Sequence, residues 1–348
     1  MYVVSGFSRT VVRLKADTTY CGKREPRTMG YSERPMKRRV PMVLAAACAA
    51  TWMTGHVAAQ FRNGVNLFVL QVTVTDSNGR FVTGLLRDEF SVYEDNAERP
   101  IEQFSAGRVP VSLGILVDIS GSMEGRRFED ARQAVEKLLE RFHEDDQMFL
   151  GVFNNTVTFP AQWTNDHAAL LQSLSGVKPH GGTYLYSAVS AALPVLNRGP
   201  NRKKALVIIS DGDDNERMAG LNRDLLVRAV RQARQSEALI YVIAIGVPKP
   251  PLEQWLSLAP EARRRFFYDP PVDVDVLRQL TDPTGGYTQL APSTTDLPST
   301  VISIADDLSA QYMIGFESEH ADGRLRALKV TTHNSRNLVR AKTGYASP

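Results

Sequence analysis

The sequence predicts a doubly wound α/β fold with a mostly parallel sheet, joined by a small flanking β domain. Three observations lead there. Several short runs are continuously apolar, which suits strands buried on both faces. Amphipathic helical stretches alternate with those runs, and right-handed crossovers between them give helices on both faces of one sheet. At both ends of this alternating region the pattern changes to short strands separated by turn residues.

Leu67 to Thr75 opens the first flank as a half-buried strand. Leu70, Val72 and Val74 point one way, and Gln71, Thr73 and Thr75 the other. The turn Asp76-Ser77-Asn78-Gly79 closes it, and strands around Phe90–Glu94 and Ile101–Phe104 follow, separated by Asp95-Asn96. From Val111 the period changes. Leu113–Val117, Met148–Phe153, Ala205–Ser210 and Leu239–Gly246 read as buried strands. Phe128–Phe142 is an amphipathic helix with Phe128, Ala131, Val135, Leu138, Leu139 and Phe142 on one face. Tyr184–Leu196 and Asn222–Ser236 are further helices, the latter with Arg223, Arg228, Arg231 and Arg234 as its solvated face. A long Pro- and Arg-rich connection, Val247–Pro271, leads to a helix at Asp275–Leu280, a strand at Tyr287–Leu290 and a helix at Asp296–Leu308. Gln311–Phe316, Leu325–Thr332 and Leu338–Ala341 return to strands. Neither flank buries much of a core alone, so the segments 61–110 and 309–348 are expected to pack together beside an α/β domain over 111–308.

The charge is uneven. The chain is 348 residues long with net charge +3. Residues 1–59 hold ten Lys or Arg against Asp17, Glu25 and Glu33, which is +7; the remainder is therefore about −4 by subtraction. A nucleic-acid binder keeps its positive charge on the folded part, so that function class is excluded. Lys37-Arg38-Arg39, the apolar run Pro41–Met53 and the small residues of Val57-Ala58-Ala59 read as a signal peptide over 36–59, with Gln60 as mature N-terminus and export as consequence. The other readings of this segment are a membrane anchor through residues 40–59 and lipidation at Cys48. Removal of the signal leaves no stable membrane span. Residues 1–35 fit none of these, and translation is expected to start at Met36 or Met29, which makes 1–35 a mis-assigned upstream stretch. Both cysteines, Cys21 and Cys48, fall before Gln60, so the mature chain forms no disulfide and no thiolate metal site.

The chemistry concentrates at Asp118-Ile119-Ser120-Gly121-Ser122, directly after a buried strand and before a helix. In a doubly wound sheet, ligands gather at the carboxyl ends of the strands. Asp211 follows the strand Ala205–Ser210 in the same way, and Gly181-Gly182-Thr183 offers a hydroxyl just before a helix. Asp118, Ser120, Ser122, Thr183 and Asp211 are all oxygen donors, the ligands that hard cations such as Mg²⁺, Mn²⁺ or Ca²⁺ prefer. Two carboxylates at adjacent strand ends also repel each other unless a cation lies between them. Each residue taken singly suits helix capping instead. Asp213 and Asp214 are expected to cap the following helix.

Asp-x-Ser-x-Ser, Gly-Gly-Thr and Ser-Asp-Gly, in this order, resemble the three-part metal site (MIDAS) of von Willebrand factor A and integrin I domains. The resemblance covers about residues 111–308 and fills all five positions: Asp118, Ser120, Ser122, Thr183 and Asp211. It implies Mg²⁺ held directly or through water by the two serines and the threonine, aspartates acting directly or from behind, and a last ligand from an Asp or Glu carboxylate of a protein partner. Val72-Thr73-Val74-Thr75-Asp76, Gly84-Leu85, Asp88-Glu89-Phe90 and Tyr93-Glu94-Asp95 are similar to the β segment of the VWFA-related acidobacterial family. Gln311-Tyr312-Met313-Ile314-Gly315-Phe316 and Ala341-Lys342-Thr343-Gly344-Tyr345 resemble its C-terminal segment.

An adhesion or interaction module is thus expected rather than an enzyme. A phosphatase using Asp118 as nucleophile wants an acid two residues on, where this chain has Ser120. A nucleophile elbow is absent, and His143, His167, His180, His320 and His333 show no ligand or triad spacing. A metal-free scaffold is the remaining alternative. Within the connection Val247–Pro271, Trp255, Phe266 and Phe267 beside Arg263, Arg264 and Arg265 are expected to shape partner choice.

Overall fold

The computed structural model describes residues 66–212, 214–215, 224–261 and 271–347. The predicted signal segment, the arginine cluster 263–265 and Asp213 lie outside the described residues. At the centre is a six-stranded sheet. Its strands are β5 (Val111–Asp118), β6 (Gln147–Phe153), β7 (Val157–Thr164), β8 (Lys203–Ser210), β9 (Leu239–Ile245) and β10 (Thr288–Ala291). Their order is β10-β9-β8-β5-β6-β7, all parallel except β7, which runs antiparallel on the edge. Every residue of β5, β8 and β9 is buried, as the unbroken apolar runs require of strands covered on both faces.

Among the described residues, helices α1 (Arg126–Leu139), α2 (His167–Ser173), α3 (Leu185–Asn197), α4 (Leu225–Gln235), α5 (Leu252–Ser257), α6 (Val274–Thr281) and α7 (Leu297–Ser309) accompany the sheet. The helices α1 and α7 bury Val135, Leu138, Val301 and Ile304 against one face of the sheet; α3, α4 and α6 bury Val189, Ala229 and Leu277 against the other. The α1 helix stops at Leu139, so Phe142, expected within it, packs from beyond its end. Arg228, Arg231 and Arg234 are exposed on α4. Leu226 and Val230 of the same helix are half-buried and pack against the core on this face. Among the described residues no helix is long and apolar enough to cross a membrane.

The two flanks form two four-stranded sheets, in which every pairing is antiparallel. One has the order β13-β1-β11-β4 and the other β14-β12-β2-β3. Their strands are β1 (Asn66–Thr75), β2 (Phe90–Glu94), β3 (Ala97–Arg99), β4 (Ile101–Ser105), β11 (Tyr312–Ser318), β12 (Leu325–Thr332), β13 (Leu338–Ala341) and β14 (Gly344–Ala346). Asp95 and Asn96, with φ of 48° and 68°, make the tight hairpin turn between β2 and β3. Both sheets contribute to one apolar core, with Val72, Ile314 and Phe316 from one and Val92, Val330 and Tyr345 from the other.

The structure departs from the expected half-exposed β1. Leu70, Val72 and Val74 enter the core between the sheets, but Gln71 and Thr73 on the opposite face are also buried. They face the α/β part. Gln71 Nε2 donates to the Lys204 carbonyl at 3.0 Å, and Thr73 Oγ1 donates to Asp307 Oδ1 at 2.8 Å. Each of these two buried side chains donates a hydrogen bond, although Gln71 Oε1 accepts none. Lys203 and Lys204 begin β8, so the flanking sheets attach at the amino end of the strand whose carboxyl end carries Asp211.

Strands β1 and β4 pair with β11, and β2 pairs with β12. Deleting residues 309–348 should therefore leave β1, β2 and β4 without their ladders and open this flank to limited proteolysis at the rate of unfolded chain. Continued protection of residues 66–105 in the truncated protein would show that the N-terminal flank folds independently.

Candidate functional site

The site is built where the sheet reverses direction. From β5 the chain winds first to β6 on one side and later to β8 on the other, so a crevice opens at the carboxyl ends of β5 and β8. Asp118 is the last residue of β5, and Asp211 directly follows β8. Both are buried, at 0% and 3% exposure.

Asp118 is held at both oxygens. Oδ1 accepts from the Ser120 backbone N–H at 2.8 Å, and Oδ2 accepts from Ser210 Oγ at 2.6 Å. The first bond folds the loop after β5 into a tight turn; the second ties that loop to the end of β8. The turn brings Ser120 Oγ to 3.0 Å from Ser122 Oγ, and Ser122 Oγ donates to Asp211 Oδ1 at 2.8 Å. Ser120 is buried, whereas Ser122 is exposed, so this row of oxygens meets solvent at one end. None of the three loop residues caps α1, whose N-cap is Gly125 with no side-chain bond. The simple capping account of Asp118, Ser120 and Ser122 therefore does not explain their placement.

Thr183 comes from a second loop. It is buried, and its Oγ1 would lie 3.5 Å from a Cβ added to Gly212, directly after Asp211. Two asparagines hold it there. Asn155 Oδ1 accepts from the Gly182 N–H at 2.8 Å, and Asn215 Oδ1 accepts from the Thr183 N–H at 2.7 Å. The Gly181 carbonyl accepts from the Gly121 N–H at 2.9 Å, which joins this loop to the one after β5. Gly181 has φ +81°, and a Cβ there would lie 2.3 Å from Asn155 Oδ1, so only glycine fits. His180 is an exposed loop residue whose Nε2 lies 3.2 Å from Asn154 Nδ2. Asp214, expected to cap the following helix, accepts from the Tyr186 N–H in the first turn of α3, earlier in the chain, at 2.9 Å.

Arg127 completes the arrangement. Its Nη1 donates to Asp211 Oδ2 at 2.6 Å and lies 3.4 Å from the Ser122 carbonyl oxygen. Arg127, Ser210, Asn154, Asn155 and Asn215 were not among the residues expected from the sequence. Asn154-Asn155 did carry a signal, since they follow buried β6 as Asp211 follows β8.

Residues 113–213 match the family of the von Willebrand factor type A domain. Over those residues the chain is similar to an A-type domain. Its relatives include inter-alpha-trypsin inhibitor heavy chain H2 of Sus scrofa, 24% identical over 153 residues, which are 40% of this chain and 16% of that one. Heavy chain 4 of Mus musculus is 28% identical over 181 residues, covering 48% and 19% of the two chains. An uncharacterised Synechocystis protein is 26% identical over 117 residues, covering 32% and 28%. The matches thus span less than a third of each of these relatives. Among solved structures, a von Willebrand factor type A protein from Catenulispora acidiphila aligns over 81% of this chain and 72% of its own, with 11% identity and a TM-score of 0.48.

Burial pushes the Asp118 carboxyl up from its ordinary 3.8 to about 7, and the neighbouring Asp211 charge adds to that rise against the hydrogen bonds from Ser210 and Ser120. The sign follows from linkage. Below about pH 4 the group is neutral folded or unfolded and contributes nothing. Between 4 and 7 the unfolded chain ionises first, so the stability lost through Asp118 grows with pH and levels off above 7. At about 1.4 kcal/mol per pKa unit the full cost is on the order of 4 kcal/mol. Asp118→Asn keeps the acceptor for Ser120 and lets the Ser210 hydroxyl turn to accept. In EDTA the Asn variant should melt several degrees above the parent at pH 8, with the gap closing toward pH 4. An equal gap at both pH values would show that ionisation of Asp118 is not what costs stability.

Proposed function

We propose that the A-type domain of this exported protein binds one divalent cation, Mg²⁺ or alternatively Mn²⁺ or Ca²⁺, and uses it to hold a carboxylate of a protein partner. The observation that carries this reading is the row of oxygens from buried Ser120 Oγ through exposed Ser122 Oγ to Asp211 Oδ1, with steps of 3.0 and 2.8 Å. Hard cations take oxygen ligands of this kind and retain water or foreign oxygens at the remaining positions. The donor set fits: Ser120, Ser122 and Asp211 offer oxygens that face one another, and Thr183 approaches from the neighbouring loop. Among the described residues no group of three or more His, Cys, Asp or Glu side chains competes as a metal centre.

The division of labour follows from the hydrogen bonds. Asp118 has both oxygens engaged within the fold, so its role is to shape the loop and supply charge from behind Ser120. Asp211 supplies charge through an oxygen that already faces Ser122. A bound divalent ion would offset the cost of keeping two buried carboxylates side by side. Ser122 marks the open end, where a partner's Asp or Glu would reach the ion. The basic and apolar segment 36–59 supports export.

The alternative of a phosphatase-like hydrolase needs an attacking carboxylate open to substrate. Asp118 has 0% exposure and both of its oxygens accept hydrogen bonds, which favours binding over catalysis.

Calorimetric titration of the full chain with Mg²⁺ and Mn²⁺ should show one saturable site. Saturating metal should raise the melting temperature, because the ion binds the folded chain only. Asp211→Ala should abolish both effects, and Ser122→Ala should weaken binding by about tenfold, the order expected for one lost ligand oxygen. Absence of binding heat and of any thermal shift in the parent protein would sink the reading.

A further inference from the structure

Among the described residues, Arg127 is the one cationic side chain that the structure places directly on the proposed metal-binding carboxylates. It is the second residue of α1, in the first turn. A positive charge there is opposed by the helix dipole, whose amino end is itself positive. The side chain nevertheless turns toward Asp211, which has no side-chain exposure, while Arg127 retains 31%. Its neighbour Arg126 is 82% exposed and pairs with Asp130 at 3.5 Å instead. The two oxygens of Asp211 are divided: Oδ1 takes the Ser122 hydroxyl, and Oδ2 takes the guanidinium. The charge that a divalent ion would neutralise is already neutralised from within.

We propose that Arg127 is the internal counter-ion of the metal-free site and competes with the divalent ion for Asp211, so that it sets how tightly metal is held. This rests on the metal-binding reading of the same site. A guanidinium 2.6 Å from Asp211 Oδ2 and a divalent ion on the same carboxylate repel each other across a buried, poorly screened space. Metal binding must therefore either displace Arg127 or bear that repulsion, and both lower affinity. In return, the metal-free protein avoids an uncompensated buried charge at Asp211, which would be strongly destabilising.

The test is calorimetric titration of the full chain with Mg²⁺, and with Mn²⁺ in parallel, for parent, Arg127→Gln and Arg127→Lys. Arg127→Gln should bind metal about tenfold more tightly, the order expected for removing one close charge pair. Arg127→Lys keeps the charge and should stay within about threefold of the parent. In EDTA, Arg127→Gln should melt below the parent, and the difference should shrink at saturating metal. If Arg127→Gln does not fold, Arg127→Met, which keeps the apolar stem, carries the same expectation. Unchanged or weaker binding in the neutral variants, with normal binding in the parent, would overturn the competition and leave the metal-binding reading standing. No binding in any of the proteins would overturn both.

Discussion

Two buried carboxylates at the ends of neighbouring parallel strands are the constraint around which this site is organised. Asp118 and Asp211 owe their closeness to sheet topology, since β5 and β8 are adjacent and both end at the crevice. In a low-dielectric interior such a pair is expensive unless its charge is met by donors. Each oxygen is accordingly met by one: the Ser120 amide and Ser210 hydroxyl at Asp118, the Ser122 hydroxyl and Arg127 at Asp211. These bonds also fix the loop conformations. The loop after β5 is folded by Asp118, the loop at Thr183 is docked on it through Gly181 and Asn155, and the φ of +81° at Gly181 strains any side chain placed there. Charge compensation and loop geometry are here one set of hydrogen bonds.

The opposite end of the sheet solves a related problem by other means. Asp307, 1% exposed on α7, accepts from Thr73 at 2.8 Å, Tyr241 at 2.7 Å and Arg340 at 2.6 Å. One carboxylate thereby joins β1 and β13 of the flanking sheets to β9 and α7. Lys203 and Lys342, both buried, donate to the Leu308 and Ser236 carbonyls at the carboxyl ends of α7 and α4, where cations suit the helix dipole. Burial still pulls both ammonium groups down to about 8. The flanking sheets are therefore held by directional polar contacts as well as by their shared apolar core.

The elements most legible in the sequence were those whose pattern reports burial on both faces. The ends of β5 and β8 lay close to where the apolar runs stop, and the two acids therefore fell on the carboxyl edge of the sheet. Strand β7 and helix α2 went unread. The alternation of Val157, Phe159, Ala161 and Trp163 carried a strand signal, but Pro160 argues against a strand unless it is an edge strand, and only the sheet order reveals that edge. The face of β1 bearing Gln71 and Thr73 looked solvent-facing because polarity does not tell water from a buried polar partner. The loop motifs marked Asp118, Ser120, Ser122, Thr183 and Asp211, whereas the supporting residues Ser210, Asn155 and Asn215 act through bonds spanning 92, 27 and 32 positions. No local pattern encodes such pairings. Arg127 reads locally as one more charge on the polar side of an amphipathic helix.

The two ends of the sheet together define what the fold leaves available. The flanking sheets occupy the amino ends of β8 and β9 through contacts at Lys204, Ser236 and Tyr241. The carboxyl ends of β5 and β8 face away from them, since parallel strands place all their carboxyl ends on one edge. A partner reaching Ser122 therefore need not displace either flanking sheet. It meets a row of oxygens whose outer member is exposed and whose inner members are fixed by the fold. Under the proposed reading, a partner at this row is held by charge and coordination. Those are the terms most sensitive to what neutralises Asp211.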